Sequence, residues 1–154
     1  MLEPYALSRP GGVQGQAIGL ARSLRVMGHD VTVLGPADSD GAVPASAGEH
    51  YVIGHPTPLR SNGSVAPVSL WPSTAARAEH FVRSGRFDVA HMHEPLAPVA
   101  AYGLVLTAPL PMVGTYHRAG VSRWAGSERI ACFSSAAGGI VAPSSAMNRP
   151  SALP

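Results

Sequence analysis

Three short stretches carry groups that could do chemistry: Pro10-Gly11-Gly12, His91-Met92-His93-Glu94, and His117. Adjacent glycines let backbone N–H groups approach a ligand with no Cβ in the way, and a helix starting there aims its positive dipole end at the same place. The pair Gly11-Gly12 is therefore either an anion-binding corner or an ordinary tight strand-to-helix turn, and the residues alone leave both open. It has neither the G-x-G-x-x-G spacing of a dinucleotide fingerprint nor a Gly-Lys-Ser/Thr ending, so neither a nicotinamide cofactor nor a P-loop is supported. His91 and His93 stand two apart, the spacing that puts both on one side of a strand. With Glu94 and His117 they can be drawn as a zinc or iron hydrolase site. A strand-end histidine hydrogen-bonded to a backbone carbonyl is the simpler arrangement, and it is the expectation for His93.

The elements that position these groups follow from periodicity. Val13, Ala17, Leu20, Ala21, Leu24 and Met27 recur in three- and four-residue steps, which predicts one buried helical face closed by Gly28. Residues 31–34 are a β-branched run and read as a strand. Met1-Leu2-Glu3 reads as the last part of another, with its earlier residues missing, since a buried parallel strand usually runs about five or six residues. Residues 35–50 have the composition of a surface loop, residues 51–53 make a short strand, and Asn62-Gly63 is a turn signal. A helix is expected from Pro72 to about Arg83, with Ser73 as N-cap and Ala78, Phe81 and Val82 inward. The strand carrying His91 and His93 should begin at Phe87. A helix over 99–106, covered on most sides, and a strand over 112–117 ending in His117 follow. In open α/β sheets ligands sit outside the carboxyl ends of the strands, which is where His93 and His117 fall. Residues 129–134 read as one more strand; residues 136–154 have neither helical nor strand period and read as a mostly disordered tail.

With 154 residues there is room for one α/β domain with a real core. A 45% hydrophobic and 13% charged composition fits a soluble globular chain, while 17 glycines and 15 prolines predict long loops. The 11 basic residues are all arginine, scattered along a chain of formal charge +2, which argues against a nucleic-acid partner. The single Cys132 excludes an internal disulfide. No basic region followed by an apolar one opens the chain, so no secretory signal is expected. The apolar stretch 96–116 is broken by Pro98, Pro109 and Pro111 and reads as helix, loop and strand, not a membrane span.

Three motifs in order then carry a resemblance. Pro4-Tyr5 with Pro10-Gly11-Gly12-Val13-Gln14 and Gly28-His29-Asp30-Val31, the run Asn62-Gly63-Ser64-Val65-Ala66, and His91-Met92-His93-Glu94-Pro95 followed by Thr115-Tyr116-His117 resemble family 4 glycosyltransferases of the GT-B fold. Within that family the wording is most similar to the phosphatidylinositol mannosyltransferase branch. The resemblance covers roughly residues 1–134 and implies the N-terminal, acceptor-side domain: a Rossmann-like parallel sheet with helices on both faces, its first strand and C-terminal part incomplete, with 135–154 as tail. The long helix the family places after Ser122-Arg123-Trp124 is absent, which reads as an internal deletion.

Carried over residue by residue, the resemblance implies that Gly11 and Gly12 offer N–H groups to the donor phosphates. Tyr5, Gln14, Asn62 and Ser64 would line the acceptor side, with Arg118 or Arg123 meeting the lipid phosphate. His117 would sit at the reacting centre. The family strand end H-x-H-E-P needs no metal, so neither a metal nor any other cofactor is expected. The implied donor substrate is GDP-mannose and the acceptor a lipid or polyol, at the cytoplasmic side and peripherally on the inner membrane face. The family's basic pair and Glu-x7-Glu pattern for the nucleotide do not occur in this sequence, so the isolated chain is expected to be a truncated, inactive enzyme. Two other readings stand beside it: a non-catalytic remnant or acidic-lipid-binding module using Arg60, Arg118 and Arg123, and the metal hydrolase of His91, His93 and His117.

Overall fold

Met1–Glu3 runs as a short parallel strand segment between two longer neighbours. Leu2 bridges both Leu34 and Met92 in parallel. The N–H groups of Leu34 and Glu3 donate to Met1 O and Leu34 O at 2.7 and 2.8 Å, and those of Leu2 and His93 donate to His91 O and Leu2 O at 2.7 and 2.9 Å. The computed structural model describes residues 1–61, 64–95, 97, 99–107, 110–117, 129–134 and 139–141.

On one side of Met1–Glu3 lie β1 (Val33–Gly35) and, parallel to it, β2 (His50–Val52). On the other lie β5 (Ala90–His93) and, parallel to it, β6 (Met112–Tyr116). The parallel sheet expected from the sequence is therefore present. Two further strands extend it in the opposite sense: β7 (Arg129–Ser134) runs antiparallel to β6, and β8 (Gly139–Val141) antiparallel to β7. β8 lies in the stretch expected to lack any period. Separately, β3 (Thr57–Ser61) and β4 (Ser64–Val68) pair antiparallel with Ser61 opposite Ser64; the turn signal Asn62-Gly63 lies outside the described residues.

The helices are α1 (Gly12–Val26), α2 (Pro72–Ser84) and α3 (Ala100–Thr107). Adjacent residues on a strand face opposite ways, so Val33 and Leu34 mark the two sides of the sheet. Val33 joins Leu7 and Ala21 of α1, with Met1 packed against them. Leu34 joins Leu2, Met92 and Met112 with Ala78 and Val82 of α2 and Ala101 and Leu104 of α3. Helices thus cover both faces, and each fully buried Leu or Met side chain contributes about 1.5–3 kcal/mol through removal from water.

Several boundaries differ from expectation, each for a local reason. In α1 the buried residues are Gln14, Ala17 and Ala21, while Leu20 and Met27 are exposed. The helix is rotated toward Gln14, whose amide finds a backbone partner below. Its end is as expected: Gly28, at φ +92°, donates to Arg25 O while His29 donates to Leu24 O, the paired bonds of a Schellman cap. The first strand begins at Val33, where pairing with Met1–Glu3 begins, and β5 begins at Ala90 because Val89 is 52% exposed. Ser73 is not an N-cap. Trp71 holds that position and Pro72 fills the first helical one, where its fixed φ and missing N–H do no harm. Helix α3 is covered on one side only, with Tyr102 and Leu106 at 50% and 67% exposure. Gly35 ends β1 where a Cβ would lie 2.8 Å from Leu7 Cγ and 3.0 Å from Glu3 O, so only a bare backbone fits beneath the Met1–Leu7 segment.

Candidate functional site

The parallel register builds one row of polar side chains. His93 pairs with Thr115 and Leu2 with Met92, so Glu3, His93 and Thr115 stand side by side on the sheet face opposite Met92. His91 sits one pleat below, its ring stacked on that of His93 with centroids 4.8 Å apart and its Nε2 2.8 Å from Thr115 Oγ1. His117 follows one pleat above. Its ring lies parallel to that of His93, and Nδ1 of His93 is 2.6 Å from Nε2 of His117. His93 therefore bonds a second histidine, not the backbone carbonyl expected for it.

Glu94 fixes the other side of His117. It adopts a left-handed conformation at φ 48°, strained for a residue with a Cβ, while its N–H donates to Thr115 O at 2.8 Å. The turn carries its carboxylate back over the strand end, where Oε1 accepts the His117 N–H at 2.6 Å. Sequence reasoning considered Glu94 only as a metal ligand and missed this role.

The electrostatics of the row are those of buried polar groups. Burial, with the neighbouring histidines, pushes His93 down to about 3, and burial first of all lowers His91 as well, so both rings are neutral at ordinary pH. Glu3 is fully buried; desolvation, reinforced by the nearby Glu94 carboxylate, raises it to about 8 despite the bond that Tyr5 N–H donates to its Oε1 at 3.1 Å. The phenols of Tyr5 and Tyr116 are raised by burial and then by Glu94. Tyr5, Glu3, Glu94, Tyr116 and His117 thus share one neighbourhood. Thr115 and Tyr116 entered the sequence reading only as motif neighbours of His117, and Glu3 was given no role; an acidic residue between Leu2 and Pro4 in an apolar strand segment was the available signal.

The histidine rings face one another instead of a common centre. Among the described residues no group of three or more His, Cys, Asp or Glu side chains is arranged to hold a metal ion. The geometry gives the hydrolase reading no ligand set.

The glycine corner is built differently. Gly11 is the N-cap of α1, extended at φ −170°, and no side chain caps the helix. The first-turn N–H groups of a helix have no partner inside it, so those at Gly12 and beyond are available to an acceptor. Gln14 turns its amide inward, donating a long 3.5 Å bond to Ala6 O, and its Oε1 occupies the space a Gly11 side chain would need. A cleft of about 490 Å³ opens beside this corner, lined among others by Arg9, Gly11, Gln14, Ile18 and Arg22. Arg9 is held by Asp38, with Nη2 to Oδ1 at 2.7 Å.

Of the expected site residues, Tyr5, Gln14, Gly11 and Gly12 are gathered along the segment that leaves the central strand, and Tyr5 and His117 meet around Glu94. Tyr5 also bridges Val68 at the base of the hairpin, which places Ser64 four residues, or about 14 Å, further along β4. Asn62, Arg118 and Arg123 lie outside the described residues.

Residues 10–149 match the sequence profile of Glycosyltransferase Family 4. The chain belongs to that family. Its curated relatives include a phosphatidyl-myo-inositol mannosyltransferase of Propionibacterium freudenreichii, 34% identical over 120 residues that make up 75% of this chain and 32% of the relative. Proteins of the same description from Mycolicibacterium smegmatis and Mycobacterium tuberculosis are 39% and 38% identical, each over 76% of this chain and 30% of its own length. The family 4 chain described here therefore spans about a third of the length of these relatives. The family assignment agrees with the order of motifs in the sequence and with the parallel sheet. Among the described residues no helix is long and apolar enough to cross a membrane.

Proposed function

We propose that this chain is the acceptor-side part of a retaining mannosyltransferase that transfers mannose from GDP-mannose to the inositol ring of a phosphatidylinositol-type acceptor, at the inner face of the cell membrane. An inositol hydroxyl oxygen bonds to the anomeric carbon, the bond from that carbon to GDP breaks with its electrons leaving on the diphosphate, and the hydroxyl proton leaves with the product GDP. The observation that carries the reading is His117, held at the carboxyl end of β6 by Glu94 and His93 beside the half-buried Tyr5. That is the edge of an α/β sheet where ligands bind.

In this reading the free N–H groups at Gly11 and Gly12 meet the donor phosphates, favoured by the dipole of α1. Tyr5, Gln14, Asn62 and Ser64 contact the acceptor, and Arg118 or Arg123 pairs with the lipid phosphate, a charge-assisted contact suited to a guanidinium. His117 touches the reacting groups. A second, nucleotide-binding half holds the leaving diphosphate, and without it the chain is inactive.

The test is transfer of radiolabelled mannose from GDP-mannose to phosphatidylinositol vesicles, with the nucleotide-binding half of the Mycolicibacterium smegmatis relative joined to this chain. The reading predicts transfer that falls by about 10²-fold or more in His117→Ala. No transfer, or transfer indifferent to that substitution, sinks it.

A further inference from the structure

Two side-chain atoms of the strand-end row are buried without a partner, Glu3 Oε2 and His93 Nε2. Their residues are 0% and 1% exposed. They are also neighbours by register: Leu2 pairs with Met92, so Glu3 and His93, the next residue of each, lie on adjacent strands of one sheet face. The two atoms make no bond to each other as placed, but adjacent strands are about 4.8 Å apart, so a small side-chain rotation brings a carboxyl and an imidazole within reach. Left apart, each is an unsatisfied buried group; turned toward each other, the two can be satisfied by a single shared proton.

The other groups around them are already engaged. Glu3 Oε1 takes the Tyr5 N–H, and His91 Nε2 takes Thr115 Oγ1. The Glu94 carboxylate opposes charge on Glu3, and the Met1 ammonium, His91 and His117 oppose charge on His93. The phenols of Tyr5 and Tyr116 also face this region and respond to Glu94. The 2.6 Å contact between His93 Nδ1 and His117 Nε2 needs one proton between its two nitrogens. Which ring supplies it depends on what His93 Nε2 meets on its far side.

We infer that Glu3 is a positioning residue: holding a proton on Oε2, it donates toward His93 Nε2, so that His93 Nδ1–H donates to His117 Nε2 and His117 keeps its own proton on Nδ1. The burial that raises Glu3 keeps it protonated at neutral pH. The nitrogen that His117 leaves for a ligand is then a donor, suited to an oxygen that gains negative charge. This consequence rests on the reading of His117 as the residue at the reacting centre; the tautomer itself does not.

The experiment is two-bond ¹H–¹⁵N correlation NMR of the whole chain with ¹⁵N-labelled histidine, which reports the protonated nitrogen of each ring without ligand or turnover. At pH 6.5 His93 and His117 should both carry the proton on Nδ1. As pH rises past the Glu3 titration the carboxylate becomes an acceptor and the pattern should invert, with both protons on Nε2. Glu3→Gln keeps a donor beside His93 while its amide oxygen still accepts from Tyr5 N–H, so it should show the pH 6.5 pattern at both pH values. Glu3→Leu should lose the single-tautomer pattern. His93 protonated on Nε2 at pH 6.5, or a Glu3→Gln chain that inverts with pH as the wild type does, overturns the inference even if the Leu variant fails to fold. Should the tautomers behave as stated and mannose transfer fail, only the functional reading falls.

Discussion

The strand-end row and the glycine corner both adjoin the Met1–Leu7 segment, yet they are made by opposite means. In the row, parallel register brings Glu3, His93, Thr115 and His117 together, the first two buried and the last two half-buried, and His93 bonds His117 side chain to side chain. At the corner the useful groups are backbone N–H donors, exposed because Gly11 and Gly12 lack side chains and no residue caps α1. One region bonds largely within itself, with Glu3 Oε2 and His93 Nε2 left over, and the other presents backbone donors that no side chain meets. In the proposed reading, a site assembled from both has a fixed reference point for a reacting group and backbone donors for an anion.

The contrast can be broken most severely at Met92, which is 0% exposed between His91 and His93 and packs in the larger core. Met92→Ala should cost about 2–5 kcal/mol in chemical denaturation and unsettle the row while leaving the corner in place. A loss under about 1 kcal/mol would mean that the row is not held by packing.

A second effect is in pH. Glu3 is raised on folding, so between its unfolded value of 4.5 and about 8 the folded state binds more protons than the unfolded one. Stability from this group is complete below the lower value and is lost as pH rises to the upper. Relative to Glu3→Gln, the wild type should therefore lose stability across that window, by at most about 1.4 kcal/mol per pH unit. Parallel stability curves would show that Glu3 titrates alike in both states.

At the corner the expected effects are smaller and differ in sign. Gly12→Ala meets nothing within 4 Å and should raise stability by about 0.5–1 kcal/mol, as alanine does within a helix, while weakening anion binding. Destabilisation would show instead that the glycine serves the fold. Arg9→Ala removes a solvent-screened pair with Asp38 and should leave the melting midpoint almost unchanged.

The corner and the row also differ in how far they could be read from sequence. Glycines ahead of an amphipathic pattern announce a helix start locally, and the alternation in His91-Met92-His93 announces a strand with both rings on one side. The contact of His93 with His117 joins residues 24 apart and depends on the register of β5 against β6, which no local pattern encodes. Glu3 was hidden for a related reason. Its environment is made by strands contributed from residues 33–35 and 90–93, and its partner becomes evident only when those are aligned. The rotation of α1 toward Gln14 escaped an apolar count because a buried polar residue replaces an apolar one there, satisfied by Ala6 O.

The central claim is that Tyr5 and Gln14, beside the corner, and His117, in the row, face one acceptor. The most direct measurement is NMR titration of this chain with myo-inositol 1-phosphate, following the backbone resonances of Tyr5, Gln14 and His117. The account predicts saturable shifts at all three with a common dissociation constant, and their loss on addition of high salt as a charge-assisted phosphate contact is screened. Absence of shifts, or shifts at Tyr5 and Gln14 with none at His117, would contradict it.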